Sequence, residues 1–347
     1  MTEVDLERRG SWGIVTLNRP RALNSLTPAM CAAFDEAIAA WEADPAVRAV
    51  LIEGAGERAF CAGGDIRALY EVARKDPQAA ADFFRTEYRL NTRLSRMSTP
   101  SVALIDGICM GGGVGVSIHA AHRIATERTV WAMPECAIGL VPDVGASFFL
   151  NQLGCGLPLY LGLTGARLTG HQCVAAGVAT TAAPSNALED LREALLTLPD
   201  PGEAGSIEAV LPASDRSPLP EGDEIAGLFG AVQSVEQVLE RLRATRTPLA
   251  EGALQRMEGA SPTSLALTYR LLTEASGDFA ECIAREFRVV AHLMDGPDFI
   301  EGVRAQVVEK DRQPRWSPAT PEGLTASSLS RYFEAPRGGD LDLSGLL

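Results

Sequence analysis

Residues 101–149 read SVALIDGICMGGGVGVSIHAAHRIATERTVWAMPECAIGLVPDVGASFF, and this stretch decides the fold class. A run typical of a β-strand, Ser101–Asp106, leads into the glycine triplet Gly111–Gly113, and a short apolar helix is predicted to follow. Glycine lets a backbone N–H approach a ligand because no Cβ is in the way, and the start of a helix favours developing negative charge. With Glu135 and Asp143 close behind, the stretch predicts an oxyanion hole with acid/base groups.

A second glycine turn lies earlier in the chain, within the segment RAFCAGGDIR at positions 58–67. The pair Gly63 and Gly64 follows an apolar run and opens another helix candidate. Two separate turns could supply two N–H donors to one carbonyl oxygen. Either turn alone is better explained by the tight bend that glycine permits, so the prediction depends on the pair.

Strand and helix candidates alternate through the first half of the chain. Apolar runs predict strands at Trp12–Leu17, Ala49–Glu53, 101–106 and 123–127. Between the first two strands, Leu26–Trp41 has apolar residues on one helical face, with Thr27 as N-cap and Pro28 in the first turn. This alternation predicts an α/β architecture.

The later part of the chain is predicted to be mostly helical. Pro201–Asp223 is rich in proline, glycine, serine and aspartate, so residues 201–224 are predicted to be a loop or linker that follows a core at 1–200. Residues 225–347 show apolar positions at helical spacing and are predicted as a helical C-terminal region. The last ten residues are expected to form a frayed tail.

The composition is that of an ordinary globular protein. Of the 347 residues, 46% are hydrophobic and 22% are charged. No uninterrupted apolar run reaches the roughly 18 residues of a membrane span. The formal net charge of −14 opposes binding to nucleic acid or to an anionic membrane. The acidic N-terminal residues have the character of neither a signal peptide nor a transit peptide, so a cytoplasmic location is expected.

The seven cysteines are odd in number, scattered, and mostly surrounded by apolar residues. No CxxC pair occurs, which argues against a zinc site or a redox dithiol. Free, buried thiols in a reducing compartment are therefore expected, and no metal site is predicted.

Several motifs together resemble the crotonase superfamily, which is the enoyl-CoA hydratase/isomerase family. The strongest are FCAGGDI at 60–66, DGICMGGGVG at 106–115 and AMPECAIGLVPD at 132–143. The likeness also includes NRPRALN at 18–24, FRTEY at 84–88, LTG at 163–165, EGVR at 301–304 and EKD at 309–311. It covers most of the chain, and it implies a crotonase-like spiral of ββα units whose C-terminal helices cover the site or mediate trimer contacts.

The resemblance implies roles for residues within these motifs. Gly64 and Gly112 match the positions whose backbone N–H groups hold a thioester oxygen. Glu135 matches a catalytic acid/base with a pKa raised by burial, although a glutamate at a helix N-terminus is also stabilised by the helix dipole. Asp143 matches a second catalytic carboxylate, and the alternative interpretation of this residue is a helix N-cap.

Further residues are expected to contact the substrate. Glu87 lies in a predicted helix, Asp82–Leu94, where a glutamate is ordinarily solvated, yet the hydrolase subfamily has a site glutamate at the matching position. The other expected substrate-binding residues are Arg21, Ala22, Ala62, Asp65 and Arg67. The arginines among them are the best placed near the motifs to attract a polyanionic coenzyme A despite the negative net charge.

Position 115 separates two subfamilies. Enoyl-CoA hydratases use two glutamates, one of them three residues after the middle glycine of the triplet, where this chain has Gly115. Addition of water across a double bond needs both groups, so the chain is expected to be a poor hydratase. Glu135 with Asp143 is the pair expected of the hydrolase subfamily.

Other catalytic patterns are not supported in this stretch. Ser117 lacks the G-x-S-x-G context of a serine hydrolase. His119 and His122 are interpreted as structural because no nucleophile pattern accompanies them. The triplet lacks the spacing of a dinucleotide-binding fingerprint.

The resemblance thus implies hydrolysis of a short-chain 3-hydroxyacyl-CoA thioester, with 3-hydroxyisobutyryl-CoA of valine breakdown as the expected substrate. Glu135 would either activate water or attack to form a mixed anhydride, and the sequence leaves both routes open. No cofactor is expected, because coenzyme A is part of the substrate. The expected partners are the acyl-CoA and further copies of the chain in a trimer or hexamer, without nucleic acid or membrane. Enoyl-CoA hydration or isomerisation and non-catalytic acyl-CoA binding are the alternatives.

Overall fold

Two sheets and a series of helices make up the part of the chain that the computed structural model describes, residues 2–214 and 217–346. These residues divide into two units. The first unit holds residues 2–64, 89–131, 168–214 and 217–219, and the second holds 65–88, 132–167 and 220–346. Gly64 and Gly112 therefore belong to the first unit, and Glu87, Glu135 and Asp143 belong to the second.

The strands are β1 (Val4–Arg9), β2 (Trp12–Leu17), β3 (Ala49–Gly54), β4 (Ala59–Cys61), β5 (Ser101–Ile105), β6 (Ile108–Met110), β7 (His122–Ala125), β8 (Val130–Ala132), β9 (Leu168–Thr169) and β10 (Thr181–Ala182). The α-helices are α1 (Pro28–Glu42), α2 (Ile66–Ala73), α3 (Pro77–Arg96), α4 (Gly112–Gly115), α5 (Ala146–Phe149), α6 (Leu157–Thr164), α7 (Gly170–Ala175), α8 (Leu188–Leu196), α9 (Gly222–Phe229), α10 (Val235–Ala244), α11 (Pro248–Glu258), α12 (Pro262–Thr273), α13 (Phe279–Met294), α14 (Pro297–Val303) and α15 (Ala326–Ser330).

Apart from Ala132 at the end of β8, both sheets belong to the first unit. The larger sheet has the order β1-β2-β3-β5-β7-β10, in which β1 and β2 form an antiparallel hairpin and every later pair is parallel. A parallel pair needs a crossover connection, and α1 supplies the one from β2 to β3. The smaller sheet has the order β4-β6-β8-β9, and its strands β4 and β6 lead into the two glycine turns.

The larger sheet packs against α8 through one continuous apolar cluster. The sheet contributes Trp12, Leu51 and Ile124, and the helix contributes Leu191 and Leu195, all of them buried. Burying one such side chain contributes about 1.5–3 kcal/mol, so this cluster fixes the sheet from which the glycine-bearing segments emerge.

The second unit is mainly helical, and α13 is the longest helix that lies entirely within it. Its N-terminus carries a capping box, because the side chain of Asp278 accepts from the backbone N–H of Glu281 and the Glu281 side chain accepts from that of Asp278. Its apolar face includes Ile283 and Phe287, both fully buried. This face holds α13 firmly inside the second unit.

The chain end differs from its prediction. The last ten residues were expected to fray, but Arg288 of α13 donates two hydrogen bonds to the Asp340 carboxylate, at 2.7 and 2.9 Å. Arg85 donates to the Gly338 carbonyl at 2.9 Å, and Leu341 and Leu343 are buried. The prediction was wrong because these partners lie more than 50 positions away in sequence and leave no local pattern.

Other expectations hold. Strand β2 has the predicted bounds, and α1 begins at Pro28 with the Thr27 hydroxyl accepting from the Met30 N–H. The cysteines are free, and six of them are buried, whereas Cys155 is exposed. Helix α9 begins at Gly222, near the end of the segment 201–224 that was predicted to be a loop. The predicted domain limits stay a prediction. Within residues 2–214 and 217–346, no helix combines the length and apolar character needed to cross a membrane.

Candidate active site

The first glycine turn forms backbone hydrogen bonds with the segment that contains the NRPRALN motif at 18–24. The Leu26 N–H donates to the Gly63 carbonyl at 2.8 Å, and the Ala62 N–H donates to the Leu23 carbonyl at 3.0 Å. Arg21 and Ala22 lie in the short 3₁₀-helix just before Leu23. Of the predicted substrate-binding residues, Arg21, Ala22 and Ala62 therefore lie close together within the first unit.

The two glycine turns lie against each other. A Cβ on Gly63, whose φ is +98°, would stand 3.4 Å from the backbone nitrogen of Gly112. A Cβ on Gly113 would stand only 2.2 Å from the Cys61 carbonyl oxygen, so a side chain there would collide with β4. The glycines are thus required by close backbone approach, and this approach brings the turns of Gly64 and Gly112 together.

The backbone N–H groups of Gly64 and Gly112 have no hydrogen-bond acceptor among the described residues. Such groups are ordinarily paired, so two donors from adjacent turns suit an external carbonyl oxygen. The helix that begins within the triplet is only four residues long, Gly112–Gly115, in keeping with the short helix predicted there. Any stabilisation of negative charge here comes from the two N–H groups and not from a long helix dipole.

Three buried carboxyl groups form a cluster in the second unit. Glu87 lies on α3, Glu135 begins a 3₁₀-helix, Glu135–Ile138, and Asp143 lies three residues before α5. Their exposed fractions are 2%, 6% and 6% respectively. The Tyr88 hydroxyl donates to Oδ2 of Asp143 at 2.5 Å, which fixes the orientation of that carboxylate.

The three carboxyl groups perturb one another's pKa values. Burial, followed by the negative charge of Asp143, raises the pKa of Glu87 well above its usual value. The same two causes raise the pKa of Glu135, and Glu87 adds a smaller contribution. Burial raises the pKa of Asp143 to about 6, although the hydrogen bond from Tyr88 opposes the rise. Each of the three carboxyl groups therefore binds a proton more readily than it would in water, which suits acid/base catalysis.

Two oxygen atoms of this cluster are available to a ligand. Oε1 of Glu87 and Oε2 of Glu135 are buried and have no hydrogen-bond partner among the described residues. A buried carboxyl oxygen without a partner is costly, so such atoms are expected to be satisfied by a substrate group or a reacting water. The arrangement can thus both exchange a proton and hold a polar substituent.

The turn after Asp143 has a strained backbone. Val144 has φ of +55°, a conformation that a β-branched residue rarely adopts and that costs roughly 1–3 kcal/mol. Gly145 follows with φ of +88°, and a Cβ there would stand 2.1 Å from the Phe279 ring. Neighbouring contacts must hold this turn in place. The strongest come from Glu286 of α13, whose carboxylate accepts from the backbone N–H groups of Gly145 and Ser147 at 2.6 and 2.7 Å.

The helix-cap interpretation of Asp143 is wrong. The N-cap of α5 is Gly145, and no side chain caps this helix. The Asp143 side chain instead accepts the hydrogen bond of Tyr88, because the strained turn directs it away from the helix start. Glu135 does stand in the first turn of its 3₁₀-helix, but that helix is only four residues long.

The remaining predicted residues have simpler settings. Asp65 is the N-cap of α2 and accepts from the Ala68 N–H, and Arg67 is exposed on that helix. Both belong to the second unit. His119 is half-buried, and loss of solvent around its ring lowers its pKa to about 3, which fits the structural role predicted for it. No group of three or more histidine, cysteine or acidic side chains among the described residues is arranged to hold a metal ion.

Sequence reasoning missed Tyr88 and Glu286. Tyr88 stands beside Glu87, but nothing in the local pattern shows that its hydroxyl reaches residue 143. Glu286 did leave a signal: it lies three residues after Ile283 and four after Cys282, on the apolar face of its helix. A charged residue on a buried face indicates a polar partner in the core.

Comparisons with known proteins identify relatives of the chain. The family model described as "Enoyl-CoA hydratase/isomerase" matches residues 12–333. The protein named "3-hydroxyisobutyryl-CoA hydrolase, mitochondrial" from Mus musculus is 43% identical over 98% of this chain and 90% of its own length. The protein of the same name from Homo sapiens is 41% identical over 98% of this chain and 90% of its own length.

Two solved structures are similar over nearly the whole chain. An enoyl-CoA hydratase from Rhodobacter sphaeroides 2.4.1 has a TM-score of 0.89 and 39% identity, covering 98% of this chain and 100% of its own. A carnitinyl-CoA dehydratase from Mycobacterium thermoresistibile has a TM-score of 0.91 and 36% identity, covering 99% and 100%. This likeness confirms the predicted fold class, an α/β spiral with a helical C-terminal region.

Proposed function

The chain belongs to the enoyl-CoA hydratase/isomerase family, and we propose that it hydrolyses 3-hydroxyisobutyryl-CoA to 3-hydroxyisobutyrate and coenzyme A, a step of valine breakdown. Relatives that align along almost the entire chain carry the name of this hydrolase. Two similar solved structures carry the names of a hydratase and a dehydratase. The choice between hydrolysis and these reactions therefore depends on the residues of the site.

One observation carries the choice of hydrolysis. Glu135 and Asp143 are buried in one cluster, whereas position 115, where hydratases of the resembled family place a glutamate, is a glycine. A hydratase needs two glutamates, because it must activate a water and also transfer a proton at Cα. This chain has only one of those two glutamates, Glu135. A hydrolase needs to activate one nucleophile and to protonate one leaving group, and two carboxyl groups suffice for that.

We assign stabilisation of the thioester oxygen to the backbone N–H groups of Gly64 and Gly112. When a nucleophile attacks the carbonyl carbon, negative charge develops on this oxygen, and donors already in place stabilise it. Removal of one such donor typically costs about 3 kcal/mol of the barrier. The two unpaired donors on adjacent turns support this assignment.

Glu135 is assigned as the catalytic carboxylate, and two routes fit its setting. In the first, Glu135 takes a proton from water, the water oxygen bonds to the carbonyl carbon, and the carbon–sulfur bond breaks as the sulfur receives a proton. In the second, a Glu135 oxygen attacks and expels the coenzyme A thiolate, and water then hydrolyses the mixed anhydride. The raised pKa of Glu135 suits proton exchange near neutral pH.

Asp143 and Glu87 are assigned to the polar part of the acyl group. Asp143, with a pKa raised to about 6 by burial, can relay a proton or accept a hydrogen bond from the β-hydroxyl. The unpartnered Oε1 of Glu87 offers a second polar contact. A site built around a hydroxyl discriminates strongly against a substrate that lacks one, because its polar groups are then left unpaired.

Thiol release measured over a panel of acyl-CoA esters tests the proposal, with hydration of crotonyl-CoA measured in parallel. We expect release of coenzyme A from 3-hydroxyisobutyryl-CoA to exceed both release from isobutyryl-CoA and hydration of crotonyl-CoA. Rapid loss of enoyl absorbance without thiol release would favour hydration or isomerisation. Tight binding without either reaction would favour a non-catalytic acyl-CoA-binding protein.

A single turnover in H₂¹⁸O separates the two routes. Heavy oxygen in the Glu135 carboxylate after one turnover requires the anhydride, because only its hydrolysis can return a water oxygen to the enzyme. Heavy oxygen in the product alone is expected of direct attack by water and also of an anhydride that water opens at the acyl carbon. In that case, release of coenzyme A ahead of the free acid within the same single turnover identifies the anhydride.

The proposal includes three further expectations. No cofactor is needed for either route, since coenzyme A arrives with the substrate. A cytoplasmic location stays a prediction, and the relatives named above are described as mitochondrial. A trimer or hexamer is likewise expected, and light scattering coupled to size-exclusion chromatography measures the assembly directly.

A further inference from the structure

Glu286 is a fully buried carboxyl group that the assigned reaction does not use. It lies on α13, and its exposed fraction is 0%. Oε2 accepts from the Gly145 N–H at 2.6 Å, and Oε1 accepts from the Ser147 N–H at 2.7 Å and the Ser147 hydroxyl at 2.6 Å. Burial raises the pKa of this group to about 8, although the three hydrogen bonds oppose the rise. Those hydrogen bonds anchor the segment that carries the donors.

The anchored segment is the strained turn that follows Asp143. Val144 has φ of +55° and Gly145 has φ of +88°, so the backbone here departs from its ordinary conformations. Strained backbone persists only where its surroundings over-determine it. The hydrogen bonds from Gly145 and Ser147 to Glu286 flank Val144 on the C-terminal side and hold the turn in this shape.

The Asp143 side chain is also held by α13, indirectly, through Tyr88. Tyr88 donates to the Asp143 carboxylate at 2.5 Å. The Tyr88 ring packs edge-on against Phe287, with a centroid distance of 6.2 Å, and Phe287 is the neighbour of Glu286. Adjacent residues of α13 thus fix the backbone after Asp143 and the phenol that orients its carboxylate.

We propose that Glu286 is a positioning residue that acts through Asp143, by holding the 143–147 turn in the geometry that the reaction needs. The inference rests on the proposed function, because Asp143 is assigned there to the acyl group. Glu286 itself contacts no substrate in this account. A small misplacement of a catalytic group can lower a rate by about a hundredfold, so the anchor has a measurable effect.

The test is a double-mutant cycle between Glu286→Gln and Asp143→Asn, followed by thiol release from 3-hydroxyisobutyryl-CoA. Glutamine keeps the size of the side chain but presents an amide where Gly145 needs an acceptor. We expect Glu286→Gln to lower kcat by roughly tenfold to a hundredfold with little change in KM. Because Glu286 acts through Asp143, the double variant should be no slower than Asp143→Asn alone.

A structural role without positioning would give a different pattern. Losses that multiply in the double variant, or a folded Glu286→Gln enzyme within twofold of wild-type kcat, would overturn the proposal. Glu281→Gln on the exposed start of the same helix is the matched control, and it should leave kcat unchanged. Melting temperatures of all variants verify that folding is retained.

A readout independent of activity separates this proposal from the assigned reaction. The ¹³Cγ signal of Asp143, identified by its loss in Asp143→Asn, should shift in Glu286→Gln at constant pH. An unchanged signal overturns the positioning role even if the enzyme hydrolyses a different thioester. If Glu286→Gln does not fold, Ser147→Ala removes one of the three donors, and an unchanged signal together with unchanged kcat in that folded variant also overturns it.

Discussion

Replacing Asp143 by asparagine should stabilise the protein, and by an amount that depends on pH. The pKa of Asp143 is raised from an ordinary 3.8 to about 6 because burial disfavours its charged form. The folded state therefore holds this proton more tightly than the unfolded state. As the pH rises from about 4 to about 6, the unfolded chain loses this proton before the folded chain does, so the free energy of unfolding falls. The loss is complete above about pH 6.

The size of the effect follows from the shift. A difference of about 2 pKa units corresponds to about 3 kcal/mol at 1.36 kcal/mol per unit. Asparagine resembles the protonated acid, can still accept the Tyr88 hydrogen bond, and does not ionise. For a chain of 347 residues the unfolding entropy is about 0.7 kcal/mol/K, so 3 kcal/mol raises the melting temperature by about 4 °C.

Thermal melts of wild type and Asp143→Asn between pH 4 and pH 8 measure this directly. We expect the variant to exceed wild type by about 4 °C at pH 8, and by less than about 1 °C near pH 4, where the folded chain holds the Asp143 proton and the unfolded chain still holds a large part of it. Glu36→Gln, on the exposed face of α1, is the control and should show no comparable pH-dependent gain. A gain that does not vary with pH, or a variant that is less stable at pH 8, would refute the reasoning.

Three further predictions concern the reaction. Glu135→Gln should lower kcat by about a hundredfold or more while acyl-CoA still binds in calorimetry, and near-normal turnover in the folded variant would remove Glu135 from the mechanism. Gly112→Pro removes a backbone N–H and should abolish activity, whereas the control Gly112→Ala retains the N–H. An active, folded proline variant would contradict the two-donor oxyanion hole. Asp143→Asn should reduce kcat/KM steeply for 3-hydroxyisobutyryl-CoA and much less for isobutyryl-CoA, and equal proportional losses would instead indicate a general acid/base role.

Local patterns were sufficient to predict several elements of the first unit. Strand β2 and the start of α1 follow from apolar alternation and from the Thr27–Pro28 capping signal, both of which are read within a few residues. The fold class followed from the alternation of such elements and was made specific by the glycine motifs. These features depend on neighbours in sequence, so the sequence alone reveals them.

The missed features all depend on long-range contacts. Glu286 lies 139 and 141 positions from Ser147 and Gly145, and Tyr88 lies 55 positions from Asp143. Without those partners, Asp143 before a short helix has the appearance of an N-cap. The strained φ of Val144 has no signature in the residue type, since valine disfavours that conformation. Only the packed structure shows what each carboxylate contacts.

The distribution of cysteines has a practical consequence for measuring the reaction. Six thiols are buried and Cys155 is exposed, so a thiol reagent added to the native protein should react rapidly with one sulfur per chain. In the coenzyme A release assay this gives a fast step equal to the enzyme concentration, and turnover follows as a slow, linear phase. A fast step larger than the enzyme concentration reveals unfolded chains, because these react through all seven cysteines. The same side chain offers a single attachment point for a fluorophore without any substitution.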